Sequence, residues 1–508
     1  MSGLSNGNST AVLKIARNAT YGLGGGVVTL LLRLIISVVI IRSIGSENFG
    51  VYVLALATVA VAEILALAGM ENTLVKFVSQ FRSINDTPRL KGTIIFGIVS
   101  VLLLSVISCI GLFCLSQVLA HQIFNKPNLM PVLKILSLAL PFLALSKVLS
   151  ACLQGIKLIK YKVLLQQILS PGFRLICVAL ALVSGYHLIG VAWAVVMTEI
   201  ITFICSFCFF FRGFPEMRNK SPIIFEIKKA IAFSLPLLLT GFSNRILAQA
   251  DILIVGHFMS GTNVGIYGVI KRFAPLIAMP LGAFNSIFAP IISDLFARKM
   301  RADLETQFKT VAKWIFMTSL PVFTLLTFFS KEILMAFDPV FVAGSLAMIV
   351  LCTGQMANTS TGSVGFMLMM TGRPHLNLLN SGLLCVTNIL LNLFLVPKYG
   401  IVGGACAGAF SITAIQLLRL CEVWLFLRMH PYRLDFLKPV ASCLISVSLL
   451  AGIVQLEIPI TRFVMLPFLL MLFLLSYTGF LWLLKFSTED RIILNSLKNR
   501  MFSGKMAK

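Results

Sequence analysis

The stretch TLLLRLIISVVII (Thr29–Ile41) decides how the rest of the chain is read. Its leucines, isoleucines and valines suit hydrocarbon, but its fifth residue, Arg33, does not. A guanidinium near the bilayer centre costs about 2.5–3.5 kcal/mol on insertion scales. The neighbours choose between a soluble core helix and a membrane span. Apolar runs of about 20 residues, enough to cross about 30 Å of hydrocarbon, recur along the whole chain between short polar turns. They fall near 19–41, 49–69, 92–118, 132–154, 163–184, 187–211, 230–255, 263–290, 311–330, 342–370, 377–396, 400–427, 437–455 and 463–484. The expected fold is therefore an all-α polytopic membrane protein of about fourteen transmembrane helices. The composition agrees: 58% hydrophobic, 12% charged, over 508 residues, without the polar linkers that would join separate soluble domains.

A net charge of +24 raises the question of nucleic acid, and the distribution of the charge argues against it. Lysines and arginines cluster in alternate loops: Lys157, Lys160 and Lys162; Arg212, Arg218, Lys220, Lys228 and Lys229; Arg298, Lys299 and Arg301; and the tail from Lys485 to Lys508. The opposite loops hold only Arg42, Lys126, Lys331, Lys398 and Arg462. By the positive-inside rule both termini face the cytoplasm, in keeping with an even number of spans. The opening MSGLSNGNSTAVLKIARN lacks the apolar core and small-residue cleavage site of a signal peptide, so the first span is expected to do its own targeting. All eleven cysteines lie in or at the ends of apolar runs, where free thiols behave as small hydrophobes. The Cys205–Cys208 pair has CxxC spacing, but with no second ligand pair nearby its expected role is packing.

The turn after the first span, RSIGSENFGVY (Arg42–Tyr52), resembles the turn after the seventh, HFMSGTNVGIY (His257–Tyr267): Asn48, Gly50 and Tyr52 align with Asn263, Gly265 and Tyr267. A second match at nearly the same offset sets Tyr186, Gly190, Ala192 and Ala194 against Tyr399, Gly403, Ala405 and Ala407. Two lobes of six helices follow, 1–215 and 216–430, related by a parallel internal repeat, with two further helices and a basic tail over 431–508. The glycine-rich first span and the IGSENFGVY turn resemble the start of bacterial polysaccharide exporters, the Wzx-type flippases of lipid-linked oligosaccharides. That family lies in the superfamily that also holds multidrug-and-toxin extruders and peptidoglycan-precursor flippases. The resemblance covers the chain in length, span number and two-lobed repeat, and implies a MATE-like fold.

Arg33 is not alone. Glu63, Lys147, Arg174, Glu199, Arg245, Asp251, Lys271 and Arg272 also fall within spans, and so many charges in hydrocarbon need a shared explanation such as a wet cavity. Gly22, Gly26, Thr29, Arg33 and Ser37 step by four, three, four and four residues, which puts them on one helical face directed at the bundle interior. Gln167, Ser170 and Arg174 repeat the pattern beside Pro171-Gly172, a pair expected to interrupt the helix, and interrupted helices at mid-depth point to transporter sites. In the seventh span Gly241, Asn244, Ala248 and Asp251 share a face; in the eighth Lys271 and Arg272 precede Pro275. Arg42, Lys134 and Arg419 lie near span ends, where snorkelling to the interface explains them. The expected cationic cavity consists of Arg33, Arg174, Arg245, Lys147, Lys271 and Arg272. Glu63, Glu199 and Asp251 carry two readings, as charge partners of these cations or as carriers of H⁺ or Na⁺ that couple a gradient to transport.

Enzyme signatures are missing. The five histidines form no HExxH or ligand cluster, and no GxxxxGK[ST] phosphate loop occurs, so neither a metal nor another cofactor is expected. A cavity with excess guanidinium and ammonium groups prefers an anion, and arginine offers paired donors that match phosphate oxygens. With the resemblance, this implies an undecaprenyl-diphosphate-linked oligosaccharide as substrate, flipped across the bacterial inner membrane by alternating access with the tail left in lipid. A polysaccharide polymerase and a chain-length regulator are the protein partners such a role implies, and no nucleic acid. Two alternatives stay open: a multidrug exporter of organic cations, which would want acidic residues dominating the cavity, and a membrane-embedded polymerase or transferase, which would want a large outer loop with catalytic groups.

Overall fold

In a computed structural model, residues 4–218, 222–455 and 462–483 are described; the basic tail from Lys485 to Lys508 lies outside them. The described chain is helical apart from short connections, and the protein is a multi-pass membrane protein. Among the described residues, nine helices are long and apolar enough to cross a membrane. Two of these, Leu4–Leu67 and Pro374–Leu427, are each a pair of helices joined across a kink at one glycine. Gly45 has φ 82° and ψ 165°, and Gly400 has φ 59° and ψ −138°; both conformations are open to glycine and strained for any residue with a Cβ. With the kinks as span boundaries, the expected spans fall on helices, but not always on one: 263–290 covers Gly261–Phe273 and Pro275–Ala297, and 342–370 runs over Ser345–Ser360 and Val364–Met370. The fourth is the pair Leu129–Ser137 and Ala139–Gly155, bent by 42°.

The helices form two compact units that interleave along the chain, a partition made by contacts rather than by the repeat. The first comprises Met1–Arg272, Met335–Ala347 and Ser381–Gly408. In it the helix Met70–Ser83 presents Met70, Leu74, Phe77, Val78 and Phe81, spaced by three and four, to a core that also takes Leu90, Ile94, Val148, Cys152 and Phe210. Helix Thr87–Val118 starts where the Asp86 carboxylate accepts from Arg89 N at 3.1 Å, with Pro88 in the first turn. Its Leu103, Ile107 and Ile110 are left exposed, as expected for a face turned to lipid.

The repeated turns meet inside this unit. A Cβ on Gly50 would collide with the carbonyl oxygen of Gly261 and lie 2.9 Å from Gly265 N, and one on Gly265 would lie 3.0 Å from Ser46 O. The glycines of the repeat are thus the crossing point of two helices whose backbones touch, the small-residue contact that lets helices associate in a bilayer. At one end of helix Ile227–Phe258, the Lys126 ammonium donates to Gly256 O at 2.6 Å, Met259 O at 2.8 Å and Phe124 O at 3.2 Å, occupying carbonyls that a helix C-terminus leaves without partners.

The second unit comprises Phe273–Leu334, Met348–Asn380 and Ala409–Lys508. Its core joins Phe288 and Ile292, Leu304 and Phe308, Val364, Met367 and Leu368, and Val423 and Leu427 from four helices. Asn380 Nδ2 donates to Glu422 Oε2 at 2.7 Å, and Tyr477 OH to Met317 O at 2.8 Å.

Candidate functional site

The first unit forms a half-open cavity of about 720 Å³. Eight of the nine charged residues singled out from the sequence line it: Arg33, Glu63, Lys147, Arg174, Glu199, Arg245, Lys271 and Arg272. Asp251, the ninth, stands behind the wall and pairs with Lys271. On the first span Gly26, Thr29, Arg33 and Ser37 all face the cavity, while Leu31 and Ile35, on the other side of the helix, are 53% and 48% exposed. The four-residue step places the stripe inward as the periodicity requires. Gly22 belongs to the same helix, and the side chain of Asn244 lies outside the described residues.

The carboxylates hold cations across different spans. Lys147 Nζ pairs with Glu63 Oε1, and Arg245 Nη2 approaches the same oxygen at 3.5 Å. Arg174 Nη2 lies 2.6 Å from Glu199 Oε1, and Tyr52 lines the same cavity. Lys271 Nζ pairs with Asp251 and donates to Ala248 O, and Tyr267 OH donates to the other Asp251 oxygen at 3.1 Å. Of the two tyrosines that match in the repeat, Tyr267 anchors the Asp251 carboxylate and Tyr52 lines the cavity. Two cations have no carboxylate within ion-pairing distance among the described residues: Arg33, and Arg272, whose guanidinium donates to Ser37 Oγ and to Arg33 O at 3.2 Å. Six cations thus face three carboxylates, one of which is shared, and three positive charges are left over. In a confined cavity they are answered by a bound anion or by water.

A neutral wall completes the site. The interruption expected at Pro171-Gly172 takes the form of a wide π-turn just before it, Leu164–Leu169, with the α-helix resuming at Ser170. Proline has no N–H to give the carbonyl four residues earlier, that of Gln167, and the hydroxyl of Thr29 on the first span donates to this oxygen at 2.6 Å. The π-turn sets Gln166 and Gln167 on the cavity wall, beside Ser170 and Thr202. Gln167 and Ser170 belong to the periodic stripe. Gln166 and Tyr52 escape a reading by charge, although the repeat marks Tyr52.

A helical membrane bundle around a polar, net-cationic cavity has the architecture of a transporter. A family model described as polysaccharide biosynthesis protein matches residues 15–296, more than half of the chain, and the chain belongs to that family. Over 169 residues it is 25% identical to the probable low-salt glycan biosynthesis flippase Agl15 of Haloferax volcanii, a match covering 33% of this chain and 36% of that protein. The chain thus aligns with only about a third of this relative's length. It is also 21% identical over 370 residues to an uncharacterised membrane protein of Methanocaldococcus jannaschii, covering 69% and 72% of the two chains. The fold matches that of the lipid II flippase MurJ in an inward closed conformation, with a TM-score of 0.71 and 16% identity over 89% of this chain and 96% of that one. It matches an inward-facing multidrug resistance MATE transporter of the MOP superfamily with a TM-score of 0.65 and 14% identity, over 78% and 94%.

Proposed function

We propose that the protein flips undecaprenyl-diphosphate-linked oligosaccharide units from the cytoplasmic to the outer leaflet of a bacterial inner membrane, by alternating access, for the synthesis of a cell-surface polysaccharide. The observation that carries this reading is the surplus of positive charge in one cavity, with Arg33 and Arg272 left without carboxylates. A diphosphate diester supplies two negative charges and oxygens that guanidinium forks bind with paired hydrogen bonds. An exporter of organic cations would need the opposite balance. Membership of the polysaccharide biosynthesis family and the likeness to a glycan biosynthesis flippase support the same substrate class.

In this reading the lobes 1–215 and 216–430 rock against each other while the polyprenyl tail stays in lipid. Both termini face the cytoplasm, and a polymerase and a chain-length regulator receive and process the product. The protein moves its substrate without making or breaking bonds. Glu63, Glu199 and Asp251 serve first as partners of the cations they contact. Coupling to H⁺ or Na⁺ is a second role for the same groups, exerted when an ion displaces a cation from its carboxylate; imposing and removing each gradient in the assay below separates the two. Proteoliposomes loaded with a fluorescent undecaprenyl-diphosphate oligosaccharide are expected to translocate it with the wild-type protein and to lose that activity with Arg33→Gln/Arg272→Gln. Equal rates for the two proteins, or transport of organic cations instead of the lipid, would overturn the reading.

A further inference from the structure

The cavity is chemically divided, and its neutral end is unexplained by anion binding. Gln166 Nε2 and Gln167 Oε1 are both buried without a hydrogen-bond partner, although both residues line the cavity. Buried amide atoms are almost always bonded, and an orphaned pair on a π-turn, a feature that recurs at functional sites, marks a place prepared for a polar ligand. We propose that Gln166 and Gln167 form a hydroxyl-binding subsite that reads the sugar attached to the diphosphate; the inference rests on the flippase reading above.

The placement fits such a ligand. Gln167 and Arg174 are seven residues apart on one helical segment, about 10 Å along the axis, and on the first span Thr29 lies about one turn from Arg33. A sugar joined to a diphosphate held by the guanidiniums would extend onto this wall. Each glutamine offers two N–H donors and a carbonyl acceptor, and neighbouring sugar hydroxyls both donate and accept. The side chains of Gln166, Gln167, Ser170 and Thr202 are themselves uncharged. Gly25 secures the arrangement: a Cβ at that position would lie 2.7 Å from Val163 Cγ1 and overlap Gln167 Oε1, so only glycine leaves room for the amide where it stands.

The experiment compares two probes in proteoliposomes, fluorescent undecaprenyl diphosphate with and without a trisaccharide. Gln166→Leu and Gln167→Leu are each expected to lower the ratio of glycan-bearing to bare-lipid transport by about tenfold, the size of effect that goes with losing one hydrogen bond to a sugar hydroxyl. Gly25→Ala keeps both amides chemically intact but displaces Gln167, and should lower the ratio in the same direction. Arg33→Gln should depress transport of both probes and leave the ratio near the wild-type value. An unchanged ratio in the glutamine variants, or equal losses on both probes, would overturn the subsite while leaving the flippase reading in place. Transport of neither probe by the wild-type protein would overturn both.

Discussion

The pair Arg174–Glu199 joins neighbouring spans at 2.6 Å, with only 7% of the Glu199 side chain exposed. Replacing Glu199 by leucine leaves the Arg174 guanidinium in the wall without its counter-charge. Removing one partner of a buried ion pair costs about 3–5 kcal/mol, because the remaining ion keeps its desolvation penalty and loses the attraction that offset it. At about 2–4 °C per kcal/mol for units of this size, the midpoint of thermal denaturation in detergent should fall by on the order of 10 °C. The double variant Arg174→Leu/Glu199→Leu removes both ions, and apolar replacement of a whole buried pair is often neutral or stabilising. Its midpoint should return to near that of the wild type while transport stays impaired, since a cavity cation has been lost. Arg33→Leu supplies the contrast: Arg33 faces the cavity without a carboxylate, so its removal should change stability by no more than about 1 kcal/mol. The assay is the fraction of monodisperse protein surviving a heating series, read by size exclusion. A double variant less stable than Glu199→Leu, or an Arg33→Leu variant as unstable as Glu199→Leu, would refute this assignment of paired and unpaired cations.

Gly50→Ala should destabilise by about 1–3 kcal/mol, because the added methyl meets backbone atoms of Gly261 and Gly265 that cannot rotate away. Gly111→Ala, with nothing within 4 Å of the added Cβ, should be neutral or stabilise its helix by about 0.5–1 kcal/mol; the same heating series compares them. Lys126→Met removes an ammonium that donates to three carbonyls. Hydrogen exchange at the end of helix Ile227–Phe258 should speed up in this variant while the core helices stay protected.

Much of this was legible in the chain because a bilayer imposes few solutions. Span length and apolar content announce the membrane-crossing helices but not the amphipathic helix Met70–Ser83, and the four-residue step of Thr29, Arg33 and Ser37 fixes which side faces inward. The repeat also carried a structural meaning that its brevity concealed: Gly50 and Gly265 recur because the two copies press their backbones together. Pairing was not legible. Glu63 finds Lys147 and Arg245 from distant spans, and no local pattern says which of several cations a carboxylate will hold. The interruption at Pro171-Gly172 was visible as chemistry but not as shape. Proline frees the Gln167 carbonyl, yet only the packing of Thr29 against it shows that the helix widens into a π-turn instead of breaking.

The central claim is that unmatched positive charge in the cavity holds a diphosphate. The most direct measurement is equilibrium binding of undecaprenyl diphosphate trisaccharide to purified protein in nanodiscs, wild type against Arg33→Gln/Arg272→Gln, across a salt series. Two charge-assisted hydrogen-bonding groups are lost, each worth about 1.5–3 kcal/mol, so affinity should fall by about a hundredfold or more and the salt dependence should flatten. Affinity unchanged within about twofold, with the salt dependence intact, would show that the anion is held elsewhere and contradict the claim.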